Sequence, residues 1–300
     1  MNSTMRKAQN LLQRVPGVLL LLPLFTPGLA PAQQVGQNGV AIWELSRPRM
    51  NAMLTLVPRD DEARYDRLRQ DFIGFGCTGN SLREQAVDRK GHHKNLLCSL
   101  PGSNQQEIIV AAWYPHRRSF GKDASDGWAA AVMLPILYNS LSAEPHRYTF
   151  LFAAFAGEDG EYHFLRSIGK TPQRPAAFIG LDAPGLGVPY FWAVPPNLLD
   201  ASHRAAAQTI SDTAWNVARL QGFASDKAYS GHIFSGHPGV FPSALLDDPK
   251  EIPRILIYSY DGGTITLDAY REDHDFIAFY LSGLDIKLAA AFDPATRASH

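Results

Sequence analysis

The sequence predicts a single α/β domain in which helices cover both faces of a mostly parallel mixed sheet. Short runs such as 107–113 (EIIVAAW) and 148–155 (YTFLFAAF) are almost entirely apolar, which is typical of strands buried on both faces. Helix-forming segments separate most of these runs, as the connections between parallel strands require. The sequence has no internal repeat and no Gly/Ser-rich linker, so residues 33–300 are expected to fold as one domain.

The first elements of this domain are a helix and a hairpin. Three acidic residues (DDE) favour the start of a helix over 63–72, and glycines follow its end. Strands at 82–87 and Lys94–Leu100 flank a polar turn, as in an antiparallel hairpin. The turn sequence PGSN then leads into the buried strand 107–113.

The remaining elements alternate between helices and strands. Ala, Met and Leu favour a helix over 127–141, which Pro135 should kink. The other elements are, in chain order, strand 148–155, helix Gly157–Ile168, strand 176–181, helix 197–221, strand 252–258 and helix Leu267–Phe292. The three strands are apolar runs, whereas the segment 197–221 is amphipathic.

Residues 1–32 have the pattern of a secretory signal peptide. They contain three basic and no acidic residues, an apolar run, and small residues before a cleavage point between Ala32 and Gln33. A membrane anchor is the alternative, but a spanning helix needs about 20 apolar residues, and this run is shorter and interrupted by Pro23. We therefore expect an exported protein without a stable membrane anchor.

The two cysteines are expected to form one disulfide bond. Export places the chain in a compartment where disulfides persist, and the hairpin described above brings Cys77 near Cys98. Two buried free thiols are the alternative. The pair does not match the spacing of a zinc finger.

The charge balance argues against a nucleic-acid partner. The chain has 28 basic and 29 acidic residues, which gives a formal net charge of −1. A protein that grips phosphate backbones normally carries a basic excess, so this class of function is not expected.

Four carboxylates are predicted at one edge of the sheet, where ligands bind in folds of this kind. Asp126 opens the helix after the first buried strand, Glu158 and Asp159 follow the second, and Asp182 follows the third. Each of them alone is explained by helix capping. Gathered in one place, however, like charges favour a cation among them, so the pattern predicts a metal site.

Six segments, taken in their order, resemble the co-catalytic zinc exopeptidases, a family that includes bacterial leucyl aminopeptidases and glutaminyl cyclases. They are NLLCSLPGS (95–103), EIIVAAWYP (107–115), DGWAAAVMLPILY (126–138), FLFAAFAGEDGEYHFLRSIG (150–169), FIGLDAPGLG (178–187) and LDAYREDHDFIAFYL (267–281). The strongest is the apolar strand that runs into Glu158 and Asp159. The resemblance extends from about residue 65 to the C-terminal helix and implies a zinc-aminopeptidase-like fold, a zinc cofactor and a peptide substrate.

The resemblance also implies a role for each of the four carboxylates. Glu158 takes the place of the general base, which deprotonates a metal-bound water. Asp159 and Asp182 take the places of metal ligands. Asp126 takes the bridging position, for which Asp123 is the rival in a shifted register.

Two positions depart from the family pattern. The family has a His at the strand end where this chain has Trp113, and a second His after the last strand, where this chain has Tyr258. Zinc favours nitrogen and sulfur ligands, whereas carboxylates alone suit calcium or magnesium better. The candidates for substitute nitrogen ligands are His116, His232 and His237.

The sequence therefore predicts two alternative functions. The first is an exported aminopeptidase-type metallopeptidase that hydrolyses the N-terminal residues of peptides when a metal is bound. The second is a metal-depleted pseudoenzyme of the same fold, with a binding or unknown role. A peptide is the expected substrate or ligand.

Overall fold

The computed structural model describes residues 32–35, 41–89, 91–115, 125–168, 175–193, 201–223, 252–259 and 264–292. The chain divides into two units, Met1–Ala30 and Pro31–His300, and every described residue lies in the second unit. The predicted signal peptide lies almost entirely outside the described residues, so its boundary stays a prediction.

The described residues form nine strands and six α-helices. The strands are β1 (Ala32–Val35), β2 (Ala41–Glu44), β3 (Leu82–Ala86), β4 (Lys94–Leu100), β5 (Gly102–Trp113), β6 (His146–Phe155), β7 (Ala177–Asp182), β8 (Pro189–Ala193) and β9 (Arg254–Ser259). The helices are α1 (Arg47–Thr55), α2 (Asp61–Gly74), α3 (Ser125–Leu141), α4 (Gly157–Ile168), α5 (Ala201–Leu220) and α6 (Leu267–Phe292). Every predicted strand and helix is present, although several ends differ by a few residues.

Seven strands form one mixed sheet in the order β3-β4-β6-β5-β7-β9-β8. The four central strands, β6, β5, β7 and β9, run parallel to one another. The strands β3, β4 and β8 pair in antiparallel fashion at the two sides. This arrangement confirms the predicted fold class.

Three strands and one helix were not predicted from the sequence: β1, β2, β8 and α1. The short strands β1 and β2 pair only with each other. Helix α1 lacks a clear apolar stripe, because its first residues are Arg47, Pro48 and Arg49. Helix α3 runs without interruption from Ser125 to Leu141 through Pro135, and the predicted kink stays a prediction.

The two faces of the sheet have separate apolar cores. The larger core lies between the sheet and helices α1, α2, α3, α5 and α6, and it buries most of α3, including Trp128. The smaller core lies on the opposite face, where α4 packs its Phe164 against Phe155 and Phe178 of the sheet. The face of the sheet to which a strand residue points therefore determines which helices its side chain contacts.

A disulfide joins Cys77, which follows α2, to Cys98 in β4. Both residues are fully buried, and their Cα atoms are 6.3 Å apart. The predicted pairing is confirmed. By closing a loop of about 20 residues, such a bond stabilises a fold by about 3 kcal/mol.

Candidate functional site

The carboxyl ends of the parallel strands form a row of polar and aromatic side chains. Trp113 lies opposite Phe155, and Asp182 lies opposite Tyr258. Ala111 pairs with Gly180, which places Trp113 and Asp182, each two residues further on, at one level. Ligands of open α/β sheets bind beyond this edge.

The side chains of this row point to the face on which α4 lies. Leu181 and Ile257 belong to the larger core on the other face, so Asp182 and Tyr258, one residue further along each strand, point away from it. Trp113 packs against the smaller core. We call Trp113, Asp182, Tyr190 and Tyr258, together with Glu158 and Asp159 of α4, the carboxyl-edge site.

Asn95 of β4 fixes the start of α4. Its side-chain amide donates to the carbonyl oxygen of Gly160 at 2.7 Å, and its Oδ1 accepts from the N–H of Ala156 at 3.0 Å. Asn95 is fully buried, and a Cβ on Gly160 would lie 2.3 Å from its Oδ1. The contact therefore requires glycine at 160 and sets where α4 begins.

Glu158 and Asp159 occupy the first turn of α4 and are exposed. The helix dipole favours negative charge at this place, which explains two acidic residues here without any ligand. Both residues nevertheless stand beside the carboxyl edge of the sheet, where the sequence predicted them.

Trp113 forms a hydrogen bond with Glu161, a carboxyl that was not predicted as a site residue from the sequence. Its indole Nε1–H donates to Oε2 of Glu161 at 2.6 Å. Glu161 is fully buried on the inner side of α4, and its Oε1 has no hydrogen-bond partner within the described part of the chain. The sequence does contain an indication of this buried carboxyl. Glu161 lies with Gly160 and Phe164 on the inward face of α4, where helical spacing predicts an apolar residue.

Burial raises the pKa of Glu161 to about 8. The hydrogen bond from Trp113 and the positive charge of Arg254 act against this rise, while the negative charge of Glu158 adds to it. Glu161 is therefore a carboxyl that holds its proton at neutral pH, directly behind the exposed Glu158. Strongly shifted pKa values of this kind concentrate at functional sites.

The far end of the row is aromatic. The rings of Tyr190 and Tyr258 stack with their centroids 5.7 Å apart and their planes at 21°. Burial, and then Tyr190, raise the pKa of Tyr258 above its ordinary value, so its phenol stays neutral at physiological pH. Both tyrosines are half-buried and present ring surface at the edge.

The family resemblance predicts zinc-binding histidines at two positions where this chain has Trp113 and Tyr258, and this correspondence stays a prediction. The indole nitrogen of Trp113 is a donor with no lone pair for a metal, and it gives its hydrogen to Glu161. Tyr258 offers a neutral phenol instead of an imidazole. Among the residues whose side chains the structure describes, no three His, Cys, Asp or Glu side chains are grouped so as to hold a metal ion.

Several predicted site residues are not tested by the structure. The predictions that lie outside the described residues are Asp123, His116, His232, His237 and the side chain of Asp126. Because the side chain of Asp126 is among them, the predicted cluster of Asp126, Asp159 and Asp182 stays a prediction. Of the other two residues, Asp159 is exposed and Asp182 is half-buried.

The fold matches that of known zinc exopeptidases and glutaminyl cyclases. A glutaminyl cyclase from Porphyromonas gingivalis is similar at a TM-score of 0.57 and 17% identity, over 80% of this chain and 96% of that one. A glutaminyl cyclase from Tannerella forsythia has a TM-score of 0.55 and 14% identity, over 78% and 98% of the two chains. A Zn-dependent exopeptidase from Parabacteroides distasonis has a TM-score of 0.51 and 17% identity, over 82% and 96%.

The comparisons rest on structure alone. No protein-family model matches the sequence, and no curated protein sequence matches it. None of the helices in the described ranges combines the length and the apolar character that crossing a membrane requires.

Proposed function

We propose that this chain, which has the fold of zinc exopeptidases and glutaminyl cyclases, is a metal-independent relative that binds peptides through their amino termini. The observation that carries this proposal is the hydrogen bond between Trp113 and Glu161. It stands at the strand end where the family resemblance places a histidine ligand.

The bond supports a metal-independent role because it uses the strand-end position for another purpose. At 2.6 Å, in surroundings that exclude water from Glu161, it is a short contact that water does not compete with. A zinc ion at this strand end would have to bind without a nitrogen ligand from residue 113. The oxygen donors that remain are of the kind that calcium and magnesium prefer.

The chemistry of the carboxyl-edge site suits a ligand that carries an ammonium group. Glu158 and Asp159 are exposed and Asp182 is half-buried, so the site is acidic, and an ammonium group forms charge-assisted hydrogen bonds with carboxylates. The stacked rings of Tyr190 and Tyr258 add faces that attract cations and pack against apolar side chains. A peptide amino terminus with its first side chain combines these features.

The compartment proposed for this role lies outside the cytosol. The disulfide between Cys77 and Cys98 suits an oxidising environment, and the pattern of residues 1–32 suits export. N-terminal sequencing of secreted protein should begin at Gln33. A mature protein that keeps residues 18–25 would contradict this part of the proposal.

Two measurements test the binding role. Elemental analysis of the purified protein should find no stoichiometric zinc. Calorimetry should show binding of L-leucinamide but not of N-acetyl-L-leucinamide, which lacks the ammonium. Asp182→Asn should weaken binding at least tenfold, whereas Asp66→Asn, an exposed acid on α2, should leave it unchanged. Stoichiometric zinc together with hydrolysis of leucyl-4-nitroanilide would overturn metal independence, and failure of both amides to bind would overturn the binding role.

A second candidate is a metal-dependent aminopeptidase, which the position of Glu158 favours. Glu158 lies in the first turn of the helix that follows β6, where the resemblance places the general base. Under this alternative, Glu158→Gln abolishes hydrolysis while metal content stays unchanged. The assay should include added zinc, calcium and magnesium, and hydrolysis in any of them that depends on Glu158 would favour this candidate over the first.

A further inference from the structure

Three separate parts of the chain meet at Asp273, a buried carboxyl on α6. The backbone N–H of Gly185, in the connection between β7 and β8, donates to Oδ2 of Asp273 at 2.5 Å. The hydroxyl of Ser259, the last residue of β9, donates to the same oxygen. Asp273 is 1% exposed, and its Oδ1 has no hydrogen-bond partner among the described residues.

The connection is held against α6 from its other side as well. The carbonyl oxygen of Gly185 accepts from the N–H of Thr266, one residue before α6, at 3.0 Å. Gly185 has a φ of +96°, and a Cβ on it would lie 2.8 Å from Ile265 and 3.2 Å from Tyr270. Only glycine fits this close approach, so the connection is packed directly onto α6.

These contacts lie next to two residues of the carboxyl-edge site. Asp182 ends β7 immediately before Ala183, the only described non-glycine residue with positive φ, at +44°. Tyr258 precedes Ser259 in β9 and pairs with Asp182. Backbone strain of this kind persists only where the surroundings hold it, and the contacts of Gly185 with α6 lie two residues further along the chain.

Asp273 has the chemistry of a group that changes charge near neutral pH. Burial raises its pKa to about 7, against the hydrogen bonds from Ser259 and Gly185. The charged group acting on it is Glu272 of the same helix, which raises the pKa further, and the titratable phenol of Tyr270 lies one turn away. The described groups that reach it from β9 and from the connection are the uncharged donors of Ser259 and Gly185.

We propose that Asp273 is a pH-responsive positioning residue that holds the β7–β8 connection and the end of β9 in place. It thereby sets Asp182 and Tyr258 in their relative positions at the carboxyl-edge site. The consequence for ligands rests on the proposed function, whereas the restraint itself does not.

The direction of the pH effect follows from proton linkage. While closed, the site keeps the proton on Asp273 up to about pH 7. When the connection lifts away, the hydrated carboxyl returns to its ordinary pKa near 3.9 and releases that proton. Between about pH 3.9 and about pH 7, a rise in pH therefore favours the open state, in which the connection has moved away from α6. Above about pH 7 the equilibrium between the closed and open states no longer depends on the titration of Asp273. The connection is therefore held most firmly in mild acid and becomes looser as the pH approaches 7.

Hydrogen exchange followed by mass spectrometry tests the restraint in the full-length protein. In wild type, the opening constant of peptides that cover 183–187 and 256–259, corrected for intrinsic exchange, should rise about tenfold per pH unit between pH 5 and 7. Asp273→Asn should remove this dependence. Asp268→Asn, an exposed carboxyl on the same helix, should retain it.

A second variant keeps the proposal testable if Asp273→Asn does not fold. Ser259→Ala removes a donor that favours the ionised carboxyl, so the pH window of opening should move upward. Opening that is independent of pH in wild type, or that keeps its pH dependence in Asp273→Asn, would overturn the proposal. So would a Ser259→Ala window that does not move.

Ligand binding separates this inference from the proposed function. If L-leucinamide binds, its affinity should fall as the pH rises from 5 to 7 in wild type but not in Asp273→Asn. A parallel pH dependence in both proteins would remove Asp273 from the control of the site. If no ligand binds, the proposed function fails, and hydrogen exchange still decides the role of Asp273.

Discussion

Asp273 and Asp285 lie on the same helix, α6, but at opposite edges of the sheet. Asp285 is at the amino edge, where it accepts from the N–H groups of Arg147 and Tyr148 at the start of β6, at 2.8–3.1 Å. Asp273 is at the carboxyl edge, where Gly185 and Ser259 both donate to one oxygen and leave the other without a described partner. Both residues are at most 4% exposed.

The two carboxyls differ in pKa because they differ in hydrogen bonding. Burial by itself would raise the pKa of Asp285, but the contact with His146, 3.8 Å away, and the hydrogen bonds from the backbone N–H groups of Arg147 and Tyr148 outweigh it and hold the pKa below its ordinary value. The same burial dominates at Asp273 and raises its pKa to about 7. The amino edge thus uses its carboxylate to satisfy backbone donors, whereas the carboxyl edge retains groups that are costly to ionise.

The largest expected effect is the loss of Asp285. Asp285→Ala leaves the buried N–H group of Tyr148 and the partly buried N–H group of Arg147 unpaired, so the free energy of unfolding should fall by about 3–5 kcal/mol. Asp273→Ala should cost less, about 1–2 kcal/mol, because the loss of its two hydrogen bonds is offset by the removal of a carboxyl that burial makes costly to ionise. Urea denaturation at pH 7 compares the two variants. Equal losses would mean that the two edges do not differ in the way their contacts indicate.

Glycine substitutions test how tightly the carboxyl edge is packed. Gly185→Ala places a Cβ 2.8 Å from Ile265 at a φ of +96°, and we expect a loss of about 2–3 kcal/mol. Gly222→Ala, at a φ of +78° with no atom within 4 Å of the added Cβ, should cost about 1 kcal/mol. Thermal denaturation of the pair isolates the packing contribution, and losses of similar size would contradict it.

The pH dependence of stability should have opposite signs at the two edges. The lowered pKa of Asp285 gives stability that is present above about pH 4 and lost in stronger acid. The raised pKa values of Asp273 and Glu161 give stability that is present below about pH 4 and lost as the pH rises through 7 and 8.

Glu161→Gln isolates one of these contributions. The amide of glutamine keeps the shape and can still accept from Trp113, but it cannot ionise. Between pH 5 and 8, wild type should therefore lose stability relative to the variant, by at most about 1.4 kcal/mol per pH unit. Urea denaturation across this range measures the slope. A difference that does not change with pH would show that Glu161 does not hold its proton in the folded state.

The smallest expected effect concerns the indole hydrogen bond. Trp113→Phe keeps an aromatic ring but removes the donor to Glu161, so we expect a loss of about 1 kcal/mol near neutral pH. The pKa of Glu161 should rise further, because the bond from Trp113 lowers it. Carboxyl NMR of labelled protein reports this pKa, and an unchanged value would mean that the bond does not act on the carboxyl.

The fold could be predicted from the sequence because the residue patterns that indicate each strand and helix are local. The runs 107–113 and 148–155 are almost entirely apolar, and the strands that contain them pair in parallel at the centre of the sheet. The pairing of Cys77 with Cys98 followed from a hairpin that is contiguous in the chain. The positions of Glu158 and Asp159 followed from the passage of a buried strand into a helix.

The contacts within the candidate site could not be predicted in the same way, because they join residues that are distant in the chain. Glu161 lies 48 residues from Trp113, and Gly185 lies 88 residues from Asp273. A carboxyl at position 161 or 273 has the same local pattern whether its partner is water, a backbone donor or an indole. The sequence analysis therefore weighed the exposed acids at the strand ends and overlooked the buried ones behind them.

The sequence by itself determined the layers of this protein: which segments become buried strands, which become helices, and that two cysteines pair. The tertiary structure alone decided that the indole of Trp113 meets Glu161 and that α6 carries a satisfied carboxylate at one edge of the sheet and an under-satisfied one at the other. The physical reason is that apolar periodicity is written along the chain. The donors available to a buried carboxyl depend on the strand order β6-β5-β7-β9 and on which helix crosses it.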